Sequence, residues 1–203
     1  MVKDSNIQAF HALVRAGLFP VHGEGFMVHD FSNVDWGEVY RLAEEQAVVG
    51  LVAAGIENLN ANLNLKVPQE WALQFIGQTL QIEQRNKAMD AFIAELIEKL
   101  RKAEVYTLLV KGQGIAQCYE KPLWRASGDV DLYLSKDNYE KAKALLLPIA
   151  QSVEQEDKGR LHLGMTIDGW VVELHGTMHT KLSRRMNRVA DEVHEDIFYS
   201  GNV

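Results

Sequence analysis

Gly128-Asp129-Val130-Asp131-Leu132 sets two carboxylates two residues apart in a run that reads as a β-strand. Side chains alternate along a strand, so Asp129 and Asp131 share one face while Val130 and Leu132 point the other way, toward a core. Neighbouring carboxylates repel, and strands disfavour aspartate. A pair placed like this calls for a cation to offset the repulsion. Oxygen ligands on a rigid strand suit Mg²⁺ or Mn²⁺. The plainer alternative has one aspartate capping a turn and the other solvated at the strand end.

Downstream, Leu161–Ile167 and Trp170–His175 read as strands flanking Asp168-Gly169, a two-residue hairpin signal. The second arm, Val171-Val172-Glu173-Leu174-His175, carries a carboxylate in mid-strand. Alternation puts Glu173 on the face of Val171 and His175. If this arm pairs beside the aspartate strand, three carboxylates converge. Three such groups can hold two metal ions about 3.5–4 Å apart, an arrangement that stabilises both entering and leaving oxygens in phosphoryl transfer. Otherwise Glu173 is a sheet-edge charge. In the absence of metal, the repulsion also predicts that Asp129→Asn or Asp131→Asn leaves stability unchanged or raised.

Upstream, Leu109-Val110-Lys111-Gly112-Gln113-Gly114 is a strand that leaves into a helix through two glycines. Such a turn lets backbone N–H groups approach phosphate at the positive end of a helix. The order is not that of a Walker A loop. Lys111 can reach a phosphate, and Arg125 can clamp one bidentately. As alternatives, Lys111 is a solvated strand end and Arg125 a partner for the acidic pair.

The remaining pattern is mostly helical. Ile7, Phe10, His11, Val14 and Leu18 recur at helical spacing, and 21–33 reads as a loop. Asp35 caps a helix from Trp36 to about Ala47, and another follows from Val48, weakened by Gly50 and Gly55. Asn58–Asn64 reads as a polar turn. A long helix runs from Gln69 to about Lys102. Val105–Val110 is a strand, 113–120 a helix that includes Cys118, Val130–Leu134 a strand, and Asp137 caps a helix over 138–147. Lys181 to about Phe198 is helical, with a basic face of Lys181, Arg184, Arg185 and Arg188. The fold expected is α+β. A helical region, 1–102, precedes a mixed-sheet core, 103–203.

The net charge of −7 argues against a protein that coats nucleic acid and makes long duplex DNA a poor partner. The one cysteine excludes an internal disulfide and a multi-cysteine zinc site. No apolar run is long enough to span a membrane, and the N-terminus lacks a signal core, so a cytoplasmic setting is expected.

Lys111-Gly112, Tyr119, Pro122, Arg125, Gly128-Asp129-Val130-Asp131-Leu132 and Glu173-Leu174-His175, in that order, resemble the uncharacterised nucleotidyltransferases of the DNA polymerase beta superfamily. The likeness is closest over 108–134, continues to His175, and extends to the Asp35-Trp36 helix start. It implies a metal-dependent transfer of a nucleoside monophosphate from an NTP to an unidentified acceptor hydroxyl on a small molecule, protein or RNA. Asp129, Asp131 and Glu173 would be the metal-binding and catalytic carboxylates, with Glu173 able to activate the acceptor. Lys111, Gly112, Gln113 and Arg125 would bind the nucleotide. Gly112-Gln113 stands where the superfamily usually has Gly-Ser, and the gap from Gln113 to Asp129 is longer than its common spacing. The sequence ends soon after Phe198 and reads as a minimal or shortened member.

The missing serine keeps a rival open, a non-catalytic or antitoxin-like binding module that retains the fold. A third reading is a zinc hydrolase on His162, His175 and His179. It lacks the H-E-x-x-H order, and His175 reads better as a neighbour of the carboxylate site.

Overall fold

The computed structural model describes residues 2–19, 30–63, 65–179 and 183–200. Among these the chain is α+β, with a five-stranded mixed sheet. It divides into two compact units, Met1–Ala88 with Ala116–Ser127, and Met89–Ile115 with Gly128–Val203.

The first unit is helical. It contains α1 (Val2–Leu18), α2 (Trp36–Glu45), α3 (Val49–Leu63) and the part of α4 (Gln69–Lys102) up to Ala88. Asp35 caps α2 as expected, its side chain accepting from the N–H groups of Gly37 and Glu38. Leu13 of α1, Val39 of α2, Val52 and Leu59 of α3 and Phe75 of α4 form a buried core. Gly55 does not merely weaken α3. A Cβ there would sit 2.0 Å from the Leu13 carbonyl oxygen, so its absence lets two helix backbones touch. The turn expected at 58–64 is corrected as far as Leu63, because α3 continues through it. The Asn58 amide donates to the Ala16 carbonyl at 2.9 Å and Leu59 is buried, so tertiary contacts override the polar composition. The expected loop at 21–33 lies mostly outside the described residues, as does Lys181.

The second unit holds the sheet. Its strands are β1 (Thr107–Val110), β2 (Asp129–Leu134), β3 (Ser152–Val153), β4 (His162–Ile167) and β5 (Trp170–His175), in the order β1-β2-β5-β4-β3. Only the β2–β5 pairing is parallel. The four strands read from the sequence are therefore present, and the short exposed β3 is an addition. The hairpin turn is where Asp168-Gly169 puts it, with both residues at positive φ.

Alternation gives the sheet two chemically different faces. Val130, Leu132 and Leu134 of β2, Val172 and Leu174 of β5, and Leu163, Met165 and Ile167 of β4 are buried on one. They pack with Met89, Ile93, Leu96 and Leu100 of α4 and with α6 (Lys136–Leu146). Asp129, Asp131 and Tyr133 of β2 and Glu173 and His175 of β5 take the other face. The cap of α6 is Ser135 rather than Asp137: its hydroxyl accepts from the Asn138 N–H, and extended backbone at the end of β2 places it first. The helix after β1, α5, spans only Lys111–Ala116, so Cys118 sits exposed in the following turn rather than in a helix.

The last helix, α7 (Arg184–Tyr199), reaches the polar face through His194. Its Nδ1 lies 2.5 Å from the Tyr133 hydroxyl, while Nε2 is buried without a hydrogen-bond partner. Burial pushes the imidazole below its ordinary value; Glu195 and Asp191 oppose the shift, and Lys136 and His179 add to it. The unfolded chain takes up this proton at about pH 6.5 and the folded chain only at lower pH. The stability from neutral His194 is thus complete above the unfolded value and lost as pH falls through the folded one. Thermal unfolding should shift to lower temperature between neutral pH and about pH 5, and His194→Phe should flatten that dependence. An unchanged slope in the variant would assign the pH sensitivity to other groups.

Candidate active site

The parallel pairing of β2 with β5 assembles the acidic group. Asp131 and Glu173 are direct register partners, and Asp129 is paired with Val171, two residues back. One oxygen from each of Asp129, Asp131 and Glu173 lies within 4.8 Å of the others. The three carboxylates singled out in the sequence are therefore brought together on one face.

Asp131 is at the centre and is only 1% exposed. Its Oδ1 accepts from Lys111 Nζ at 2.5 Å and lies 2.9 Å from His175 Nε2. Burial raises its carboxyl, but the hydrogen bonds and charges of His175 and Lys111 outweigh this and hold it below its usual range. Lys111 shows the converse: desolvation lowers its ammonium, and Asp131, Glu173 and Asp129 more than reverse that. For Asp131, the picture of a purely repulsive pair without metal is corrected, because an ammonium already balances it. Oδ2 of Asp131 is buried and has no hydrogen-bond partner. A buried acceptor left unmade is costly, and a cation is the group that would satisfy it among carboxylates. The all-oxygen donor set fits Mg²⁺ or Mn²⁺.

Lys111 owes its position to backbone geometry. It takes φ +51°, the left-handed region that bulky residues rarely adopt, at the step from β1 into α5. Gly112 breaks helical geometry immediately after. Gly114 allows α5 to lie close to the strand end, since a Cβ there would come 2.5 Å from the Leu109 carbonyl oxygen. Nζ of Lys111 is also 3.9 Å from Glu173. Gln113 is elsewhere: its buried carboxamide donates to Asp90 Oδ1 at 2.9 Å. Arg125 belongs to the first unit, where its guanidinium donates to the Ser127 hydroxyl at 3.0 Å and sits over the Tyr119 ring.

A cavity of about 460 Å³ reaches the acidic group at Glu173, and is lined also by Lys111, Tyr133, Arg160, His162 and His175 among others. Arg160 and Tyr133 were not singled out in the sequence. The hairpin could have placed His162: a two-residue turn pairing Ile167 with Trp170 also sets His162 opposite His175. His179 lines the same cavity but is not in the donor cluster of His162, Glu173 and His175, its Nε2 being 2.7 Å from Asp191.

A mixed sheet whose polar face gathers three carboxylates beside a strand-to-helix turn is consistent with a nucleotidyltransferase core. The chain belongs to a family of uncharacterised nucleotidyltransferases, whose model it matches over residues 32–198. No curated protein and no solved structure matches it. The family's description points to nucleotidyl transfer as its general chemistry. No helix among the described residues is long and apolar enough to cross a membrane.

Proposed function

We propose that the protein transfers a nucleoside monophosphate from an NTP to an acceptor hydroxyl, with Asp129, Asp131 and Glu173 as metal-binding and catalytic residues. The observation that supports this best is the in-register Asp131–Glu173 pair, with Asp129 alongside and a buried unpartnered Asp131 oxygen. Mg²⁺ or Mn²⁺ bound there would neutralise phosphate charge and make the acceptor hydroxyl more acidic. The acceptor oxygen attacks the α-phosphorus, the bond to the β-phosphate oxygen breaks, and pyrophosphate leaves. Glu173, 24% exposed at the cavity, would receive the acceptor proton. Lys111, Gly112, Gln113 through its backbone, and Arg125 would bind the nucleotide, with Lys111 exchanging its contact with Asp131 for one with phosphate. Residues 103–203 form the catalytic core and 1–102 its helical partner region, in a cytoplasmic setting.

The test is incubation with each labelled NTP, Mg²⁺ or Mn²⁺ and a mixed acceptor pool. Wild type should transfer label and release pyrophosphate, and Asp131→Asn should not. Arg125→Ala should raise the NTP concentration needed more than it lowers the maximal rate, because a phosphate clamp acts in ground and transition states alike. The second reading is a non-catalytic module, favoured by the Gln113 carboxamide bonded to Asp90 where a serine hydroxyl would meet a triphosphate. NTP binding without label transfer in any acceptor pool would select it.

A further inference from the structure

We propose that His162, Glu173 and His175 form a second metal site, selective for a borderline divalent ion such as Zn²⁺ over Mg²⁺. The three residues come from two adjacent antiparallel strands. His162 and His175 are direct register partners, and Glu173 is two residues before His175 on the same face. A donor atom from each lies within 4.8 Å of the others. Both imidazole Nε2 atoms stand 3.3 Å from the same oxygen, Glu173 Oε2, and that of His175 is also 2.9 Å from Asp131 Oδ1, a contact that the metal would replace. That spacing is long for an N–H···O hydrogen bond, which centres near 2.9–3.0 Å. It matches a tetrahedral metal, because ligand bonds of about 2.0–2.1 Å put neighbouring donors about 3.3–3.4 Å apart. The two rings, 4.8 Å apart at their centroids and inclined by 36°, flank one point instead of stacking flat.

Ligand chemistry separates this site from the acidic one. Two imidazoles and one carboxylate suit Zn²⁺ or Co²⁺, whereas Mg²⁺ takes oxygen donors and keeps its waters. The two sites meet at Glu173, the one residue common to both groups. The 460 Å³ cavity borders His162, Glu173 and His175, so a fourth coordination position stays open to water or an oxygen ligand, as in catalytic rather than structural zinc sites. His179, held by Asp191, is not a ligand. The site itself rests on this geometry alone. Its role, polarising an oxygen of substrate beside the Mg²⁺ or Mn²⁺ site, rests on the proposed nucleotidyl transfer.

Titration of the metal-free protein with Co²⁺ tests the site, since nitrogen-ligated four- or five-coordinate Co²⁺ absorbs strongly in the visible. Wild type should give one equivalent of this signal, displaced by Zn²⁺ and not by excess Mg²⁺. His162→Ala should weaken binding by more than about 100-fold, beyond what loss of a group that merely orients a ligand costs. His179→Ala should bind as wild type does. X-ray absorption at the zinc edge of the wild-type protein, which needs no variant to fold, should count two imidazole nitrogens. An oxygen-only zinc shell, or Co²⁺ affinity unchanged in His162→Ala, would overturn the proposal. Transfer supported by Mg²⁺ with no histidine-bound Co²⁺ rejects this site and keeps the function. Histidine-bound Co²⁺ in a protein that transfers no nucleotide keeps the site and rejects the function.

Discussion

Glu173→Gln should lower turnover by about 10²–10⁴-fold, the range of positioned proton transfer, while leaving the apparent NTP affinity close to that of wild type. The substitution keeps the shape of the side chain and its place opposite Gly164. A Cβ at position 164 would come 2.6 Å from Glu154 Oε2, so the strand beside Glu173 has space only for glycine there while Glu154 is so placed. What the substitution removes is a negative charge and a proton acceptor at the cavity wall. Both matter most when the acceptor hydroxyl is losing its proton, so the loss falls on the transition state and not on ground-state nucleotide binding. Single-turnover rates and NTP binding measured separately on the variant check this. Wild-type turnover in Glu173→Gln would leave Glu173 as a charge on the polar face of the central strand with no part in the reaction, and remove the third carboxylate from the mechanism.

How much of this was visible in the sequence differs by element. The alternation around Asp129 and Asp131 gave their shared face, and Asp168-Gly169 gave the hairpin and its register, because both are set by neighbours a few residues away. The parallel pairing of β2 with β5 was not legible. Its strands are joined through α6, β3 and β4, and no local signal specifies which strand Trp170–His175 lies beside. The convergence of Glu173 with the aspartates therefore stood as a condition until the sheet order was known. Partners from remote turns were hidden for the same reason: the Gln113 carboxamide bonded to Asp90 and the Asn58 amide bonded to Ala16 are contacts that spacing cannot show. Cap placement failed by a smaller margin. Ser135 and Asp137 are both competent caps, and the end of β2 decides between them.

The metal-free site separates the two aspartates, and this gives the second large effect. Asp131→Asn should abolish detectable transfer and lower stability without metal by about 1–3 kcal/mol, the cost of breaking hydrogen bonds made by a buried charged group. Asp131 is nearly fully buried, and the substitution leaves Lys111 Nζ and His175 Nε2 facing a neutral amide that can itself present an N–H to one of them. The Lys111 share of the loss is reduced, because its side chain is 59% exposed and water can resolvate the ammonium. Asp129→Asn should behave differently. Asp129 is only partly buried, and removing its charge relieves repulsion within the group of three. Its stability in chelator should equal or exceed that of wild type, while Mg²⁺ or Mn²⁺ binding weakens. Denaturant unfolding of both variants with and without Mn²⁺ makes the comparison. Equal losses in chelator would mean that Asp129 too is held by a structural partner. Full stability of Asp131→Asn would show that the Lys111 and His175 contacts do not support the fold and that the buried aspartate serves the metal alone.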